Sequence, residues 1–312
     1  MAGPGKILVI RGGAIGDFIL TFPVFSALRE HFSTAHLEVL AYPQFTPLAL
    51  AGGLVDGARS IEARGLAGFF ARDGDLAENL VGYFSGFAVI ISFLYDPDDI
   101  LKTNVGRCSK AQFIQGPHRP DENGQLHATE VLLQPLERLA IFAPDPVPRL
   151  RLATSHLPGV SQTEVDRRIA LHPGSGSERK NWPEPKWAEL LHSLVQFTNH
   201  QFILVGGEAE GSRLGRLTGM LPANRVEALQ SRALVEVAER LTTCTCFIGH
   251  DSGISHLSAA IGLRSLVLWG ETADVVWRPR GDHVTILRDP AGLPSLSIPR
   301  VLEELNRLQV TG

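Results

Sequence analysis

Apolar runs that read as buried strands recur along this chain, and each is followed by a segment with helical spacing of its apolar residues. "KILVIR" precedes "GDFILTFPVFSALREHF", and "HLEVLAY" follows it. "DLAENLVGYF" reads as a helix, "FAVIISFLY" as a buried strand, and "QLHATEVLLQPLERLAIF" as a helix interrupted at Pro135. Pro23 marks a kink or early break in the first helix, because proline has no N–H to donate. Strands that alternate with helices predict a parallel sheet covered on both faces. The pattern lapses between Phe142 and Gly159, where "APDPVPRLRLATSHLPG" carries four prolines and no helical period. It then restarts. "RIALHPG", "QFILVGG", "CTCFIGH" and "RSLVLWG" read as strands among the helical "PEPKWAELLHSLVQF", "EAEGSRLGRLTGM", "LVEVAERLTT" and "SGISHLSAAIG". An amphipathic "IPRVLEELNRL" closes the chain. The expectation is an α/β chain of two domains, residues 1–150 and 151–312, joined by the proline-rich linker. The last helix is a candidate to return to the first domain. Ligands of such sheets bind beyond the carboxyl ends of the strands, and with two domains the expected site is the cleft between them.

Composition narrows the class. A length of 312 residues with 44% apolar content suffices to bury two cores, and a net charge of −4 argues against a nucleic-acid binder held by bulk charge. Of three cysteines only Cys244 and Cys246 are close, which fits core thiols in a reducing cytoplasm rather than a disulfide framework. The apolar stretch after Lys6 is too short for a signal peptide, and "FAVIISFLY" is too short for a membrane span. No transmembrane segment is therefore expected.

Chemistry-bearing residues gather in turns at strand ends. "RGGAIGD" suggests a dinucleotide loop but places Arg11 where the fingerprint needs glycine, and the second strand ends in "AYP" with no acid for a ribose. Gly12, Gly13 and Gly16 still let backbone approach a ligand closely. Asp17 opens the following helix. It reads either as a helix-dipole partner or as a carboxylate general base. "HPGSGSERKNWP" offers hydroxyls and backbone N–H groups from Ser175, Gly176 and Ser177, with charge from Arg179 and Lys180, and reads as a phosphate loop or a solvated basic one. "GGEAE" sets Glu208 and Glu210 after a strand, where an acid can hold the two hydroxyls of a ribose or simply open a helix. "GHDSGISH" makes Asp251 or Ser252 the N-cap of a helix whose first N–H groups, near Gly253, favour an anion, with His256 close behind.

Taken together, "ILVIRGGAIGDFILTFPVFSALR", "LHPGSGSERKNWPEPKWAEL", "FILVGGEAE" and "FIGHDSGISHLSAAIGLRSLVLWGET" resemble the family 9 glycosyltransferases, which include the ADP-heptose:lipopolysaccharide heptosyltransferases. The resemblance implies the GT-B architecture, two Rossmann-like domains facing across a cleft. The acceptor would bind the N-terminal domain and the nucleotide-sugar donor the C-terminal one. It implies Asp17 as catalytic base and Lys180 as a donor-phosphate contact, with Ser175 and Gly176 in the adjoining loop. Glu208 or Glu210 would hold the ribose. Asp251, Ser252, Gly253 and His256 match the D-[ST]-G-x-x-H turn beside diphosphate and sugar. His250 stands where the family often has asparagine. The implied enzyme is an inverting glycosyltransferase that needs no metal or other cofactor. It would move a sugar, a heptose by resemblance, from ADP-heptose to a lipopolysaccharide-core or related glycan acceptor. It would be cytoplasmic, with the glycolipid acceptor at the inner membrane surface. Residues Tyr95 to Gln125 resemble the family least. In and near that stretch Arg107, Lys110 and Arg119 are candidate contacts for acceptor phosphates.

Three other readings compete. "YDPDD" places Asp96 and Asp98 as a D-x-D pair able to hold a divalent cation, as in metal-dependent transferases, or as a polar turn set by Pro97. A non-catalytic nucleotide-sugar binder would keep Lys180 and the Asp251 turn but need no base. An NAD-dependent oxidoreductase is disfavoured by the broken glycine fingerprint.

Overall fold

The computed structural model describes residues 5–152, 168–208 and 210–308. It divides into two compact units, residues 1–151 and 152–312. The proline-rich stretch lies partly beyond the described residues, from position 153 on.

The first unit is built on β1 (Lys6–Ile10), β2 (His36–Ala41), β3 (Gly57–Ser60), β4 (Val89–Ser92) and β5 (Gln112–Gln115). These pair in parallel in the order β3-β2-β1-β4-β5. Between them run α1 (Ile15–Leu20), α2 (Phe22–His31), α3 (Thr46–Ala51), α4 (Glu78–Ser85) and α5 (Ile100–Gly106), with α6 (Ala128–Leu133) after β5. The single helix expected after β1 is two helices. Pro23 sits in the first turn of α2 and has no N–H for the Ile19 carbonyl, while the Thr21 hydroxyl donates to the Asp17 carbonyl at 2.8 Å. A 3₁₀ turn continues α6 over Gln134–Leu139 and begins at the expected proline break. One sheet face packs Leu8, Ile10, Leu40 and Ile90 against Phe69, Phe84 and Leu101. Phe18, Phe22 and Phe25 on α1 and α2 are buried and in mutual ring contact.

The second unit carries β6 (Arg168–Leu171), β7 (Gln201–Gly206), β8 (Val226–Gln230), β9 (Cys246–His250), β10 (Ser265–Leu268) and β11 (Val284–Leu287). All pairs are parallel, in the order β11-β10-β9-β6-β7-β8. Its helices are α7 (Glu184–Phe197), α8 (Gly211–Gly219), α9 (Leu234–Leu241), α10 (Gly253–Ala260), α11 (Asp274–Trp277) and α12 (Ile298–Arg307). Both sheets follow the doubly wound order in which the strand sequence reverses beside the first strand, and ligands bind at the carboxyl ends of the strands at that switch point. The switch falls between β1 and β4 in the first unit and between β6 and β9 in the second.

The closing helix differs from the expectation that it is a candidate to cross to the first domain. Its stripe of Ile298, Val301 and Leu305 is buried in the second unit's own core with Trp187, Leu190 and Leu194 of α7. Such a stripe faces one neighbour, and α7 supplies it. Cys244 and Cys246 are buried, and burial pushes both thiols up to about 12. Among the described residues no helix is long and apolar enough to cross a membrane.

Candidate active site

In the second unit the switch point brings together the turns after β6 and β9. Lys180 lies in a 3₁₀ turn, Glu178–Lys180, and its Nζ is 2.6 Å from Asp251 Oδ2. Asp251 follows β9 directly and is nearly buried, whereas Lys180 is 41% exposed. The ammonium is therefore held at the rim by an acid that cannot leave. Ser252 is the N-cap of α10, its Oγ accepting from the Ser255 N–H at 3.3 Å, so the cap falls on Ser252 rather than Asp251. Ser255 Oγ donates to the His250 carbonyl. Gly253 is the first helical residue, half-buried, and His256 is buried within the first turn.

Ser175, Gly176 and Ser177 form the turn beside Lys180. Gly176 has φ +69°, which suits only a residue without Cβ strain. Ser175 Oγ lies 2.9 Å from the Ser177 carbonyl and 2.7 Å from Asn181 Oδ1, so its one proton is already engaged inside the turn. The Gly176 N–H, one of those offered to a phosphate, donates instead to Glu210 Oε1 at 3.3 Å.

The two acids of "GGEAE" have different environments. Glu210 is buried, and its Oε2 also accepts from the Gly207 N–H at 2.9 Å. A Cβ on Gly174 would come within 2.0 Å of Glu210 Cγ, so the loop closes onto this carboxylate through a glycine. Glu208 is exposed.

His250 is the hub behind this site. Its Nε2 accepts from the Trp182 backbone N–H at 2.9 Å and from Trp187 Nε1–H at 3.3 Å, which leaves Nδ1–H to donate to the Gly174 carbonyl at 3.3 Å. Burial, with nearby His172 adding to it, holds the ring down to about 3. His172, at the end of β6, is likewise lowered by burial and donates Nδ1–H to the Val205 carbonyl at 2.8 Å. Arg213 on α8 grips the far side of the loop through both oxygens of Glu178, at 2.9 and 2.7 Å.

In the first unit, the turn after β1 carries Gly12, Gly13 and, within α1, Gly16 and Asp17. Asp17 is the third residue of α1, and its Oδ2 accepts from the Ala14 N–H at 2.8 Å, the helix-capping role. Gly13 has φ +89°, and a Cβ there would lie 2.6 Å from the same oxygen. The carboxylate stays 23% exposed, so capping does not withdraw it from solvent. Its other oxygen, Oδ1, is 3.4 Å from Nη2 of Arg11, which is 3% exposed. Burial lowers Arg11 from its ordinary range, and the Asp17 charge opposes that. Arg11 Nη1 also donates to the carbonyls of Phe93 and His118, at 3.4 and 3.0 Å. Sequence reasoning used Arg11 only to break a fingerprint. A cation ending an apolar strand was the available signal.

The D-x-D stretch is built as a turn. Asp96 accepts from the backbone N–H groups of Leu101 and Lys102 at 3.2 and 3.1 Å at the start of α5, and Asp98 pairs with Arg72 at 3.1 Å. Arg107 donates to the Gly74 carbonyl at 2.8 Å, and Arg119 pairs with Glu122 at 2.6 Å. Lys110 is exposed.

Two doubly wound domains are the architecture of the GT-B glycosyltransferases, and solved structures of family 9 enzymes match the chain throughout. A family 9 glycosyl transferase from Veillonella parvula superposes with a TM-score of 0.78 at 16% identity, covering 100% of this chain and 99% of its own. An E. coli heptosyltransferase solved with ADP gives 0.75 at 18%, covering 97% and 99%. Lipopolysaccharide heptosyltransferase 3 of Escherichia coli (strain K12) is 24% identical over 309 residues, 86% of this chain and 83% of that protein. The sequence model of glycosyltransferase family 9 (heptosyltransferase) matches residues 137–305, and the chain belongs to that family. It is a glycosyltransferase.

Proposed function

We propose that this enzyme transfers a heptose from ADP-heptose, with inversion, to a lipopolysaccharide-core or related glycan acceptor. The observation that carries the reading is the Lys180–Asp251 pair at the switch point of the second unit, 2.6 Å apart beside the Ser175–Ser177 turn and the start of α10. A fixed ammonium, a hydroxyl-bearing turn and a helix N-terminus suit a diphosphate. The name of the E. coli relative and the ADP in the solved E. coli structure supply the choice of sugar, acceptor class and nucleotide.

In this reading the second unit holds the donor. Lys180 and the N–H groups at Gly253 take the diphosphate, and His256 lines the sugar end. Glu208, exposed, takes the ribose hydroxyls, whereas buried Glu210 braces the loop. The first unit holds the acceptor. An acceptor hydroxyl oxygen attacks the anomeric carbon as the bond from that carbon to the diphosphate oxygen breaks. Asp17 takes the hydroxyl proton, and ADP leaves with the electron pair, its charge met by Lys180. Gly12 and Gly13 keep the backbone beside Asp17 low, and a Cβ on Gly12 would meet Leu94 at 2.9 Å. No metal or other cofactor takes part. The protein works in the cytoplasm, meeting a glycolipid acceptor at the inner membrane surface.

A panel of nucleotide sugars tests this by thermal shift and turnover. ADP-heptose at 100 times its dissociation constant should add about 2.7 kcal/mol. Stabilisation by a uridine or guanosine sugar alone would overturn the donor assignment. Binding without turnover in the presence of a lipopolysaccharide-core acceptor would favour a non-catalytic binder.

A further inference from the structure

We propose that Tyr95 and His118 form a saccharide-binding platform that seats the acceptor sugar beside Asp17. This rests on the reading of the first unit as the acceptor domain and of Asp17 as the base.

Tyr95 is 71% exposed, although Phe93, two residues earlier, is 1% exposed. Exposed aromatics occur singly on most proteins and need no explanation. This one differs in position and support. It follows β4 at the switch point of the sheet, where α/β domains take their ligands. Its ring lies against His118, with centroids 4.8 Å apart and planes at 59°.

The base under these rings is cross-braced. Gln115 Nε2 donates to the carbonyls of Leu94 and Gly116, at 2.8 and 3.1 Å, and the Gly116 N–H donates to the Ser92 carbonyl at 2.8 Å. A Cβ on Gly116 would lie 2.6 Å from the Phe93 ring, so the β4 and β5 ends touch as closely as glycine allows. Arg11 joins this base to Asp17, since one guanidinium reaches the Phe93 carbonyl, the His118 carbonyl and the Asp17 carboxylate. The rings and the carboxylate are thus referenced to one buried side chain.

The chemistry that fits is a pyranose ring. Its C–H face covers the apolar face of a tyrosine, while its hydroxyls reach the phenol, the imidazole and water at the rim. Such a contact holds the acceptor sugar on the first unit, so it should act on acceptor binding and leave the donor alone.

The test uses the full-length enzyme, ADP-heptose and the deacylated, phosphate-bearing inner-core oligosaccharide of a lipopolysaccharide. Tyr95→Ala should raise the oligosaccharide KM about tenfold, which corresponds to roughly 1.4 kcal/mol, with kcat and the ADP-heptose KM within about twofold. Tyr95→Phe, which keeps the ring face and loses only the phenol, should recover most of the acceptor KM, and the melting temperature should not change. An acceptor KM unaltered by Tyr95→Ala, or a fall in kcat alone, overturns the platform. If the wild type does not turn over these substrates, the proposed function fails and saturation-transfer NMR decides the platform separately. Saturation reaching the sugar C–H protons from wild type but not from Tyr95→Ala supports it, and none from wild type overturns it.

Discussion

Lys180 Nζ and Asp251 Oδ2 stand 2.6 Å apart, the ammonium at the rim and the carboxylate nearly buried. Removing the lysine alone would leave that carboxylate unpaired where a diphosphate is proposed to bind. Lys180→Ala should therefore weaken ADP by roughly 1.5–3 kcal/mol while changing adenosine little. The double variant Lys180→Ala/Asp251→Asn should bind ADP more tightly than Lys180→Ala, because the leftover charge is gone. Calorimetry with both ligands checks this. Equal losses for ADP and adenosine would assign Lys180 to loop stability instead.

Glu208 and Glu210 should separate cleanly. Glu210 accepts from two backbone N–H groups inside the protein, so Glu210→Gln turns an NH₂ toward one of those donors. A loss of about 1–3 kcal/mol of stability is expected in thermal unfolding. Glu208→Gln should leave the melting temperature unchanged and weaken ADP and adenosine alike, since both carry the ribose. Unaltered binding in Glu208→Gln would remove it from the ribose.

The four turns were legible because each follows an apolar run, and glycine, serine and charge cannot continue such a run. Strands β3 ("GARS"), β5 ("QFIQ"), β8 ("VEALQ") and β11 ("VTIL") were not anticipated. They are the four outer strands of the two sheets, short and only partly buried, so none carries a long apolar run. The pairing of Lys180 with Asp251 spans 71 residues, and no local pattern encodes such a contact. Nor could spacing divide the two acids of "GGEAE", whose difference comes from Gly174 closing on Glu210. His250 looked like a departure from a motif. Its three partners lie on two turns and a helix that only the fold brings together.

His250 should leave a mark on stability against pH. Burial lowers its folded value to about 3, so between that value and about 6.5 the unfolded chain binds a proton that the folded chain refuses. Stability from this group is complete above about pH 6.5 and falls as the pH drops, by about 1.4 kcal/mol per unit for one full proton. His172 is lowered too and adds to the slope. His250→Asn should flatten the dependence between pH 6.5 and 5, a range above that in which the lowered carboxyls of Glu178 and Glu184 protonate. Urea denaturation at several pH values measures it. An unchanged slope would mean that His250 is already protonated in the fold.

Transfer should continue in EDTA. A D-x-D enzyme neutralises its leaving diphosphate with a cation on two carboxylates. Here Asp96 caps α5 and Asp98 pairs with Arg72 on the surface. Asp98→Asn should be mild in turnover and in stability, because exposed pairs contribute about 0–1 kcal/mol. Activity lost in EDTA, regained with manganese and missing in Asp98→Asn, would move the active site to this turn.

Asp17→Asn decides between base and cap. The asparagine carbonyl can still accept from the Ala14 N–H, so most of the capping geometry survives. What disappears is the negative charge beside Arg11 and the ability to take a proton. Turnover should fall about 10²–10⁴-fold, while ADP-heptose binding, proposed for the other unit, should stay close to wild type. The buried guanidinium keeps three backbone carbonyls, of Asp17, Phe93 and His118, so the variant should fold with a lowered melting temperature. Asp17→Ala removes cap and base together and should lose further stability, about 0.5–2 kcal/mol by the usual worth of a helix cap. If Asp17→Asn turned over at the wild-type rate, capping would be the whole of its role, and the base would have to be sought among other groups at the end of β1 or β4.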